Sequence, residues 1–221
     1  MTKSLKRNII STITSKLYNF RTGIGPFGLQ KKYYLELIGL ANIKRGDKIL
    51  DVGCGTGTLG FLAKKKYGSS IDYYAIDPNI HFLEYAQKRF IKNEFGVGLH
   101  KAVIESLPMK NESFDFVFCT LVFHHLLPNI IESGLKEINR VLKKDAKLLI
   151  FDYTKPKNII HYFWYYLTYF WTSIIEYGNY FFQGKYINLL QNNGFGKVDT
   201  YYVSRYLPFA IYQTKKNHSL I

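Results

Sequence analysis

Three glycines at alternate positions, directly behind an apolar run, constrain the fold of this chain more than any other feature. The stretch reads ILDVGCGTGTLG over residues 49–60. The apolar residues of Lys48–Val52 predict a strand, and Leu59–Tyr67 predicts a helix that ends at Gly68. Glycines between a strand and a helix let the backbone approach a ligand closely, and the helix N-terminus then faces that ligand. The stretch therefore predicts a nucleotide-type site within a strand–loop–helix unit.

The rest of the chain alternates apolar runs with segments rich in helix-forming residues. Further strands are predicted at Ile71–Asp77, Gly98–Ile104, Phe114–Phe123 and Ala146–Tyr153. Helices are predicted at residues 30–42, His81–Asn93 and Glu132–Leu142. The runs are continuous rather than alternating, which is typical of parallel strands covered on both faces.

The C-terminal part predicts a different arrangement. Lys197–Arg205 and Phe209–Lys215 alternate apolar and polar residues, as expected for an antiparallel hairpin added to the edge of the sheet. The predicted fold class is therefore a doubly wound, Rossmann-like α/β sheet, mostly parallel with a C-terminal antiparallel hairpin. No linker or repeat divides the chain, so residues 1–221 are predicted to form a single domain.

The spacing of the glycines disfavours a dinucleotide site. The dinucleotide fingerprint is GxGxxG, and Thr58 occupies the position of its third glycine. Asp51, at the end of the first strand, would repel a pyrophosphate and attract an ammonium group. A Rossmann dehydrogenase is the weakest of the interpretations considered.

The motif DVGCGTG resembles motif I of the class I S-adenosylmethionine (SAM) dependent methyltransferases. The segments FDFVFCTLVFHHL and EINRVLKKDAKLLIFD resemble the fourth and fifth strand regions of the subgroup (methyltransferase type 11) that includes the ubiquinone/menaquinone C-methyltransferases. LLQNNGF resembles the late helix of that subgroup. The resemblance covers residues 40–151 and implies the class I methyltransferase fold, with SAM as the cofactor.

The resemblance also implies roles for the residues of the glycine loop. Gly53, Gly55 and Gly57, with Cys54 between the first two, would let the backbone wrap the methionine part of SAM. Asp51 would meet the amino group of that methionine. Cys54 also has a simpler interpretation, as a small residue in a tight loop.

The adenosine part of SAM would be bound further along the chain. Asp77, followed by Pro78, lies 20 residues after Gly57 and would accept hydrogen bonds from the ribose hydroxyls. Ile104 would offer its backbone N–H to adenine, and Glu105 matches the second acid of the subgroup's DAExLP segment. Val103 replaces the first acid, so adenine recognition departs from the pattern there.

The exit of the fourth strand carries the residues expected to act on the acceptor side. Cys119 and Thr120 match positions that line the methionine side of SAM, or are small residues at the edge of the core. His124 and His125 are the candidates for catalysis, because a histidine near the acceptor can remove a proton close to neutral pH. The alternative for this pair is a structural role in the loop.

The net charge bears on which partners the protein attracts, and the cysteine content bears on the redox compartment in which it works. The net charge is +14, and lysine supplies 24 of the 30 cations. Such a surface is attracted to anionic membranes or to nucleic acid, although few arginines, the better phosphate ligands, are present. The two cysteines, Cys54 and Cys119, form no metal-binding pattern and fit a reducing compartment. We expect a cytoplasmic protein that binds no metal. Contact with a membrane surface is an open alternative, and nucleic acid is the disfavoured partner.

Two segments outside the resemblance remain open to more than one interpretation. Residues 1–33 contain no acid and predict a helix and loop that pack on the domain or lie on a membrane; a mitochondrial presequence is the alternative. Residues 155–185 include the uncharged, aromatic stretch Ile159–Ile175. It predicts a lid that lines the substrate pocket, or a segment that enters the membrane interface.

These features predict a SAM-dependent methyltransferase whose acceptor is small and apolar or lipid-like, such as a quinone, a phenol or a phospholipid. RNA or protein methylation is the alternative that the basic charge supports. CTLV stands where an Asn-Pro-Pro-Tyr-like tetrad would indicate base methylation, and no RNA-binding module is visible. A SAM-binding scaffold without activity is a third interpretation, which the complete glycine loop disfavours. The sequence does not predict the oligomeric state.

Overall fold

The computed structural model describes residues 30–164 and 186–217. The helices are α1 Gln30–Ala41, α2 Thr58–Tyr67, α3 Ile80–Lys92, α4 Pro128–Val141 and α5 Tyr186–Asn192. The strands are β1 Lys48–Val52, β2 Asp72–Asp77, β3 Gly98–Lys101, β4 Phe114–Thr120, β5 Leu142–Tyr153, β6 Asp199–Tyr202 and β7 Phe209–Lys215. Short 3₁₀ turns lie at Gly68–Ser70 and Phe123–His125, and residues 159–164 are helical.

The seven strands form one sheet in the order β3-β2-β1-β4-β5-β7-β6. β1 to β5 pair in parallel, and β7 runs antiparallel to both β5 and β6. The predicted doubly wound sheet with a C-terminal antiparallel hairpin is therefore confirmed. The strand order reverses between β1 and β4, and in such sheets ligands bind in the crevice outside the carboxyl ends of the strands at this point.

Helices cover both faces of the sheet, which explains why the strands are apolar throughout. On one face α4 and α5 cover the strands, and their Leu135 and Leu189 belong to the same buried cluster as Val117 of β4. On the other face α1, α2 and α3 pack on side chains such as Phe118 and Leu149. With both faces buried, polar side chains are left to the strand ends and loops.

Two of the sequence-based predictions concern residues 1–29 and 165–185, which fall outside the described residues. These residues are most of the N-terminal helix and loop and most of the aromatic lid segment. In the part of the chain that the structure describes, every helix is too short or too polar to cross a membrane.

Several strand and helix ends differ by a few residues from the sequence-based expectation, and the difference at the start of β5 changes how that strand pairs. The Lys143–Asp145 segment, which precedes the predicted fifth strand Ala146–Tyr153, belongs to β5, which begins at Leu142. The register against β4 shifts between Phe114 and Phe116, and Asp145 has a positive φ of 59°. A bulge therefore absorbs the three polar residues, and the Lys143 ammonium pairs with Asp115 at 2.8 Å.

Arg140, near the end of α4, holds the segment that follows β3. Its guanidinium donates to the carbonyls of Leu107 and Met109 at 2.9 and 2.8 Å and to the Asn111 side chain at 2.7 Å. It also pairs with both oxygens of Glu137 at 2.7 Å, while Glu137 accepts the Leu107 N–H at 2.8 Å. The hydrogen bonds from Arg140 lower the pKa of Glu137. This arrangement fixes the loop onto α4.

We expect Arg140→Ala to lower the free energy of unfolding by about 1–3 kcal/mol, because it leaves two loop carbonyls and the Glu137 carboxylate without their donor. Urea denaturation of the purified protein measures the change. Lys136→Ala, at an exposed position of the same helix, is the matched control and should change stability by less than about 0.5 kcal/mol. Equal effects of the two substitutions would show that the guanidinium contacts do not stabilise the fold.

Candidate active site

The three glycines of the loop between β1 and α2 all have positive φ. Two of them lie against neighbouring side chains and, within the described part of the chain, the third faces open space. A Cβ on Gly53 (φ 71°) would lie 2.4 Å from Val122 Cγ2, and one on Gly57 (φ 72°) would lie 2.9 Å from Phe90 Cζ. Gly53 and Gly57 thus admit neighbouring side chains. A Cβ on Gly55 (φ 53°) meets nothing within 4 Å among the described residues. Of the three, Gly55 is the position where open space lies against the backbone.

Asp77, at the end of β2, is tied to this loop. Its Oδ2 accepts the Gly55 N–H at 2.9 Å, and its Oδ1 accepts the Asn79 N–H at 2.8 Å. The residue is buried, and burial raises the pKa of the carboxyl although the two N–H donors oppose the shift. Each carboxylate oxygen has a second acceptor direction for a ligand hydroxyl. Pro78, next in the chain, is exposed.

Asp51, near the end of β1, has one oxygen with no hydrogen bond. Its Oδ2 accepts the Tyr73 hydroxyl at 3.0 Å, whereas its Oδ1 is buried without a partner among the described residues. Burial raises the pKa of Asp51 to about 7, and the nearby Asp77 contributes to the increase. A buried acceptor of this kind calls for a donor, preferably a cationic one.

The exit of β4 brings a second loop against the glycine loop. Cys119 and Thr120 are buried at the end of the strand. Leu121 then takes a left-handed conformation (φ 56°) that is rare for a branched side chain, and its N–H donates to the Phe151 carbonyl at 2.8 Å. This bend places Val122 over Gly53. Strained backbone of this kind is concentrated at functional sites.

Neither cysteine thiol has the surroundings of an activated nucleophile. Cys54 and Cys119 are buried, and burial together with the charge of Asp51 raises the pKa of both thiols well above the usual value. Both are therefore protonated at neutral pH and act as small apolar residues.

Ile104 and Glu105 form the corner of a tight turn closed by a bridge between Val103 and Ser106. Ile104 is buried against Gly134 of α4, and Glu105 is exposed. Adenine recognition by this turn stays a prediction.

Asp152, near the end of β5, was not among the residues that the sequence pattern indicated. Its side chain is fully buried. Oδ2 accepts the Phe123 N–H at 3.0 Å and lies 3.4 Å from the His124 N–H, while Oδ1 accepts the Tyr153 N–H at 2.8 Å. Oδ1 also lies 2.7 Å from His124 Nδ1. The available signal was an acid at the carboxyl end of a strand expected to lie in a parallel sheet.

The two histidines of the loop have different surroundings. Their ring centroids are 3.8 Å apart, and the His124 ring also meets Tyr153 edge to face at 4.9 Å. His124 is buried, whereas His125 is exposed. Partial desolvation and the adjacent His124 lower the pKa of His125 to about 4, against the opposing effect of Asp152. His125 is therefore neutral at pH 7.

Most of the predicted site residues lie together at one edge of the sheet. The residues at or just beyond the carboxyl ends of β1, β2 and β4 are Asp51, Gly53, Cys54, Gly55, Gly57, Asp77, Cys119, Thr120, His124 and His125. Pro78 follows β2, and the Ile104–Glu105 turn follows β3. Their roles toward a ligand remain proposals.

We expect Asp51 to make stability depend on pH. In the folded protein this carboxyl keeps its proton up to about pH 7, whereas in the unfolded chain it ionises near pH 4. The folded state then binds more protons over this range, so the stability contributed by Asp51 falls as pH rises from about 4 to about 7. Asp51→Asn keeps an acceptor for Tyr73 and should remove this loss, making the variant more stable than the parent above pH 7, by at most about 4 kcal/mol.

Urea denaturation between about pH 5 and 8 tests this expectation. Asp72→Asn, at a side chain that is more than half exposed, is the control and should leave the pH profile parallel to that of the parent protein. Parallel profiles for Asp51→Asn as well would mean that Asp51 titrates like an exposed carboxyl.

The proteins that this chain resembles are mainly methyltransferases, which agrees with a ligand site at the carboxyl ends of the parallel strands. The methyltransferase domain family matches residues 49–145, from β1 through the start of β5. The chain is 26% identical over 144 residues to the ubiquinone/menaquinone biosynthesis C-methyltransferase UbiE of Geotalea uraniireducens, covering 63% of this chain and 60% of that protein. It is 35% identical over 139 residues to the demethylmenaquinone methyltransferase of Lactobacillus johnsonii, covering 60% and 53%. The chain thus spans about half to three fifths of the length of these relatives.

Solved structures share the fold at lower identity. A SAM-dependent methyltransferase from Aquifex aeolicus superposes with a TM-score of 0.63 at 22% identity, covering 83% of this chain and 88% of that one. The [4+2]-cyclase SpnF superposes with a TM-score of 0.67 at 16% identity, covering 85% and 80%. Since a cyclase shares it, the fold alone does not determine the reaction. The methyltransferase domain match over residues 49–145, the glycine loop and the sheet topology agree, and this part of the chain is similar to SAM-dependent methyltransferases.

Proposed function

We propose that this protein transfers a methyl group from SAM to a small acceptor that is apolar or lipid-like. The observation that carries the proposal is the pairing of two features at the carboxyl end of β1: the buried Asp51 Oδ1 without a partner among the described residues, and the open space at Gly55. An ammonium group would satisfy the first, and a ligand chain would occupy the second. The methionine part of SAM has both an ammonium group and a chain of this kind.

The remaining residues fit the rest of the cofactor. Asp77 retains an acceptor direction on each carboxylate oxygen, which suits two ribose hydroxyls. The Ile104–Glu105 turn, held by the Arg140 contacts at Leu107, is the proposed adenine side. When bound, SAM supplies an electrophilic methyl group on a sulfonium. The chain's own contribution is to orient the two reactants, to exclude water and to accept a proton, for which His124 is the proposed base.

An apolar acceptor is supported by the surface and by the relatives. Ile159 and Phe163, in the segment after β5, and Tyr206, in the loop before β7, expose 82%, 63% and 58% of their surface. The matched relatives are named as a ubiquinone/menaquinone biosynthesis C-methyltransferase and a demethylmenaquinone methyltransferase. The charge of +14 supports approach to an anionic membrane surface from a reducing compartment such as the cytoplasm. A quinone-type ring is therefore the first acceptor class to test, ahead of phenols and phospholipids.

Methylation of RNA or protein is the second candidate, supported by the same net charge. A label-transfer experiment decides between them. The protein is incubated with methyl-labelled SAM and a cell extract, which is then separated into lipid, small-molecule, RNA and protein fractions. We expect label in the lipid or small-molecule fraction. Label in RNA or protein would overturn the apolar-acceptor proposal, and no label in any fraction with normal SAM binding would favour the scaffold interpretation.

We expect Gly55→Val to weaken SAM binding at least tenfold, because its side chain would project into the space proposed for the ligand. Isothermal titration calorimetry with SAM measures the change. Gly68→Val is the matched control: Gly68 also has a positive φ (57°), and a Cβ there would meet no described atom within 4 Å, but it lies at the end of α2. Both substitutions strain the backbone, so equal affinities would show that Gly55 does not contact the cofactor.

A further inference from the structure

We propose that Asp152 is a positioning residue that fixes the proton of His124 on Nδ1 and leaves Nε2 as the basic atom toward the acceptor. The inference rests on the proposed methyl transfer and identifies, on that basis, which of the two adjacent histidines acts and what orients it. It follows from the contacts of Asp152, a residue that the sequence pattern left without a role.

The surroundings of Asp152 assign the tautomer of His124. The fully buried carboxylate receives the backbone N–H groups of Phe123 and Tyr153 at 3.0 and 2.8 Å, with the His124 N–H at 3.4 Å. These groups are all donors, which an ionised carboxylate accepts. The short 2.7 Å contact from Oδ1 to His124 Nδ1 is then a hydrogen bond that Nδ1–H donates. A neutral ring with its proton on Nδ1 has its lone pair on Nε2.

The His124 ring is held while Nε2 stays free. Tyr153 packs against the ring edge to face at 4.9 Å, and the His124 side chain retains 11% of its exposure. Within residues 30–164 and 186–217, no hydrogen bond reaches Nε2. The lone pair is therefore available to a reactant that enters the cleft.

His125 is a poorer candidate for the same role. Its ring makes no hydrogen bond to the described part of the chain, and its pKa near 4 makes it a weak base. His124 is also two residues from Val122, which packs on Gly53 of the cofactor loop. The base thus lies beside the loop where the methyl donor is proposed to bind.

The proposed step balances protons and electrons. The acceptor atom forms a bond to the methyl carbon, the electron pair of the broken sulfur–carbon bond stays on sulfur, and the acceptor's proton goes to His124 Nε2. The imidazolium that results is stabilised by the Asp152 carboxylate. Cys119, Tyr186 and Tyr212 interact with Asp152 from β4, α5 and β7, and burial raises the pKa of all three, so they are neutral at pH 7.

Nitrogen NMR of histidine tests the positioning without any methyl transfer. In protein labelled with ¹⁵N-histidine, long-range ¹H–¹⁵N spectra above the pH of imidazolium formation report which ring nitrogen carries the proton, and His124→Gln assigns the signal. We expect the Nδ1–H tautomer for His124, whereas a histidine without such an acceptor favours Nε2–H. An Nε2–H signal in the parent protein would overturn the proposal, even if no Asp152 variant folds.

Asp152→Asn provides the second readout. Its amide can donate to Nδ1, which moves the proton to Nε2 and removes the basic lone pair. We expect the tautomer to switch and kcat to fall about 100-fold or more, with the Kd for SAM within about twofold of the parent value. Asp115→Asn is the matched control, a carboxylate that accepts a backbone N–H at the opposite end of β4. It should leave the tautomer unchanged.

Two outcomes separate this inference from the function on which it rests. An unchanged tautomer in a folded Asp152→Asn protein would overturn the positioning role while leaving methyl transfer in place. Absence of transfer by the parent protein to every acceptor fraction, with the predicted tautomer present, would overturn the proposed function and support the positioning of His124 by Asp152.

Discussion

Burial of the sheet on both faces is the constraint on which the site depends. Because α1, α2 and α3 cover one face and α4 and α5 the other, the interior of β1, β2, β4 and β5 must be apolar. Polar groups therefore collect where these strands end. Asp51, Asp77 and Asp152 each stand in one of the last two positions of a parallel strand, and the parallel direction brings all three to the same edge.

These three buried carboxylates differ in how completely their oxygens are hydrogen-bonded, and the two with fewer hydrogen bonds are the ones proposed to bind a ligand. Asp152 accepts two close backbone N–H groups and the His124 ring, so its surroundings are complete. Asp77 accepts one N–H on each oxygen. Within the described ranges, Asp51 has one hydrogen bond, from Tyr73, and one oxygen without a partner. A buried acceptor without a hydrogen bond raises the free energy of the folded state, and a ligand that donates a hydrogen bond to Asp51 would remove this cost.

The sequence predicted the features that depend on neighbouring residues. The glycine loop, the acids at the ends of β1 and β2 and the change from parallel strands to a hairpin follow from local pattern, and the sheet order agrees with them. The β5 bulge was missed because it depends on pairing with β4, and the turn-like Lys143–Asp145 segment concealed it.

The role of Asp152 was missed for the same kind of reason. Its partners Phe123 and His124 lie 29 and 28 residues away in the chain, so no local pattern reveals them. Similarly, the glycine pattern does not distinguish Gly55, which faces open space, from Gly53, which receives Val122. Contacts between distant segments decide such roles, and periodicity carries no information about them.

The contact between Val122 and Gly53 connects the loop after β4 with the loop after β1. Val122 Cγ2 fills the space where Gly53 has no side chain, so the loop after β1 packs directly on the loop that carries His124. Under the proposed function, a ligand that moves or steadies one loop would change the affinity of the other loop for its own ligand. By thermodynamic linkage this effect would be reciprocal, so that under the proposed function SAM and the acceptor would bind cooperatively rather than independently.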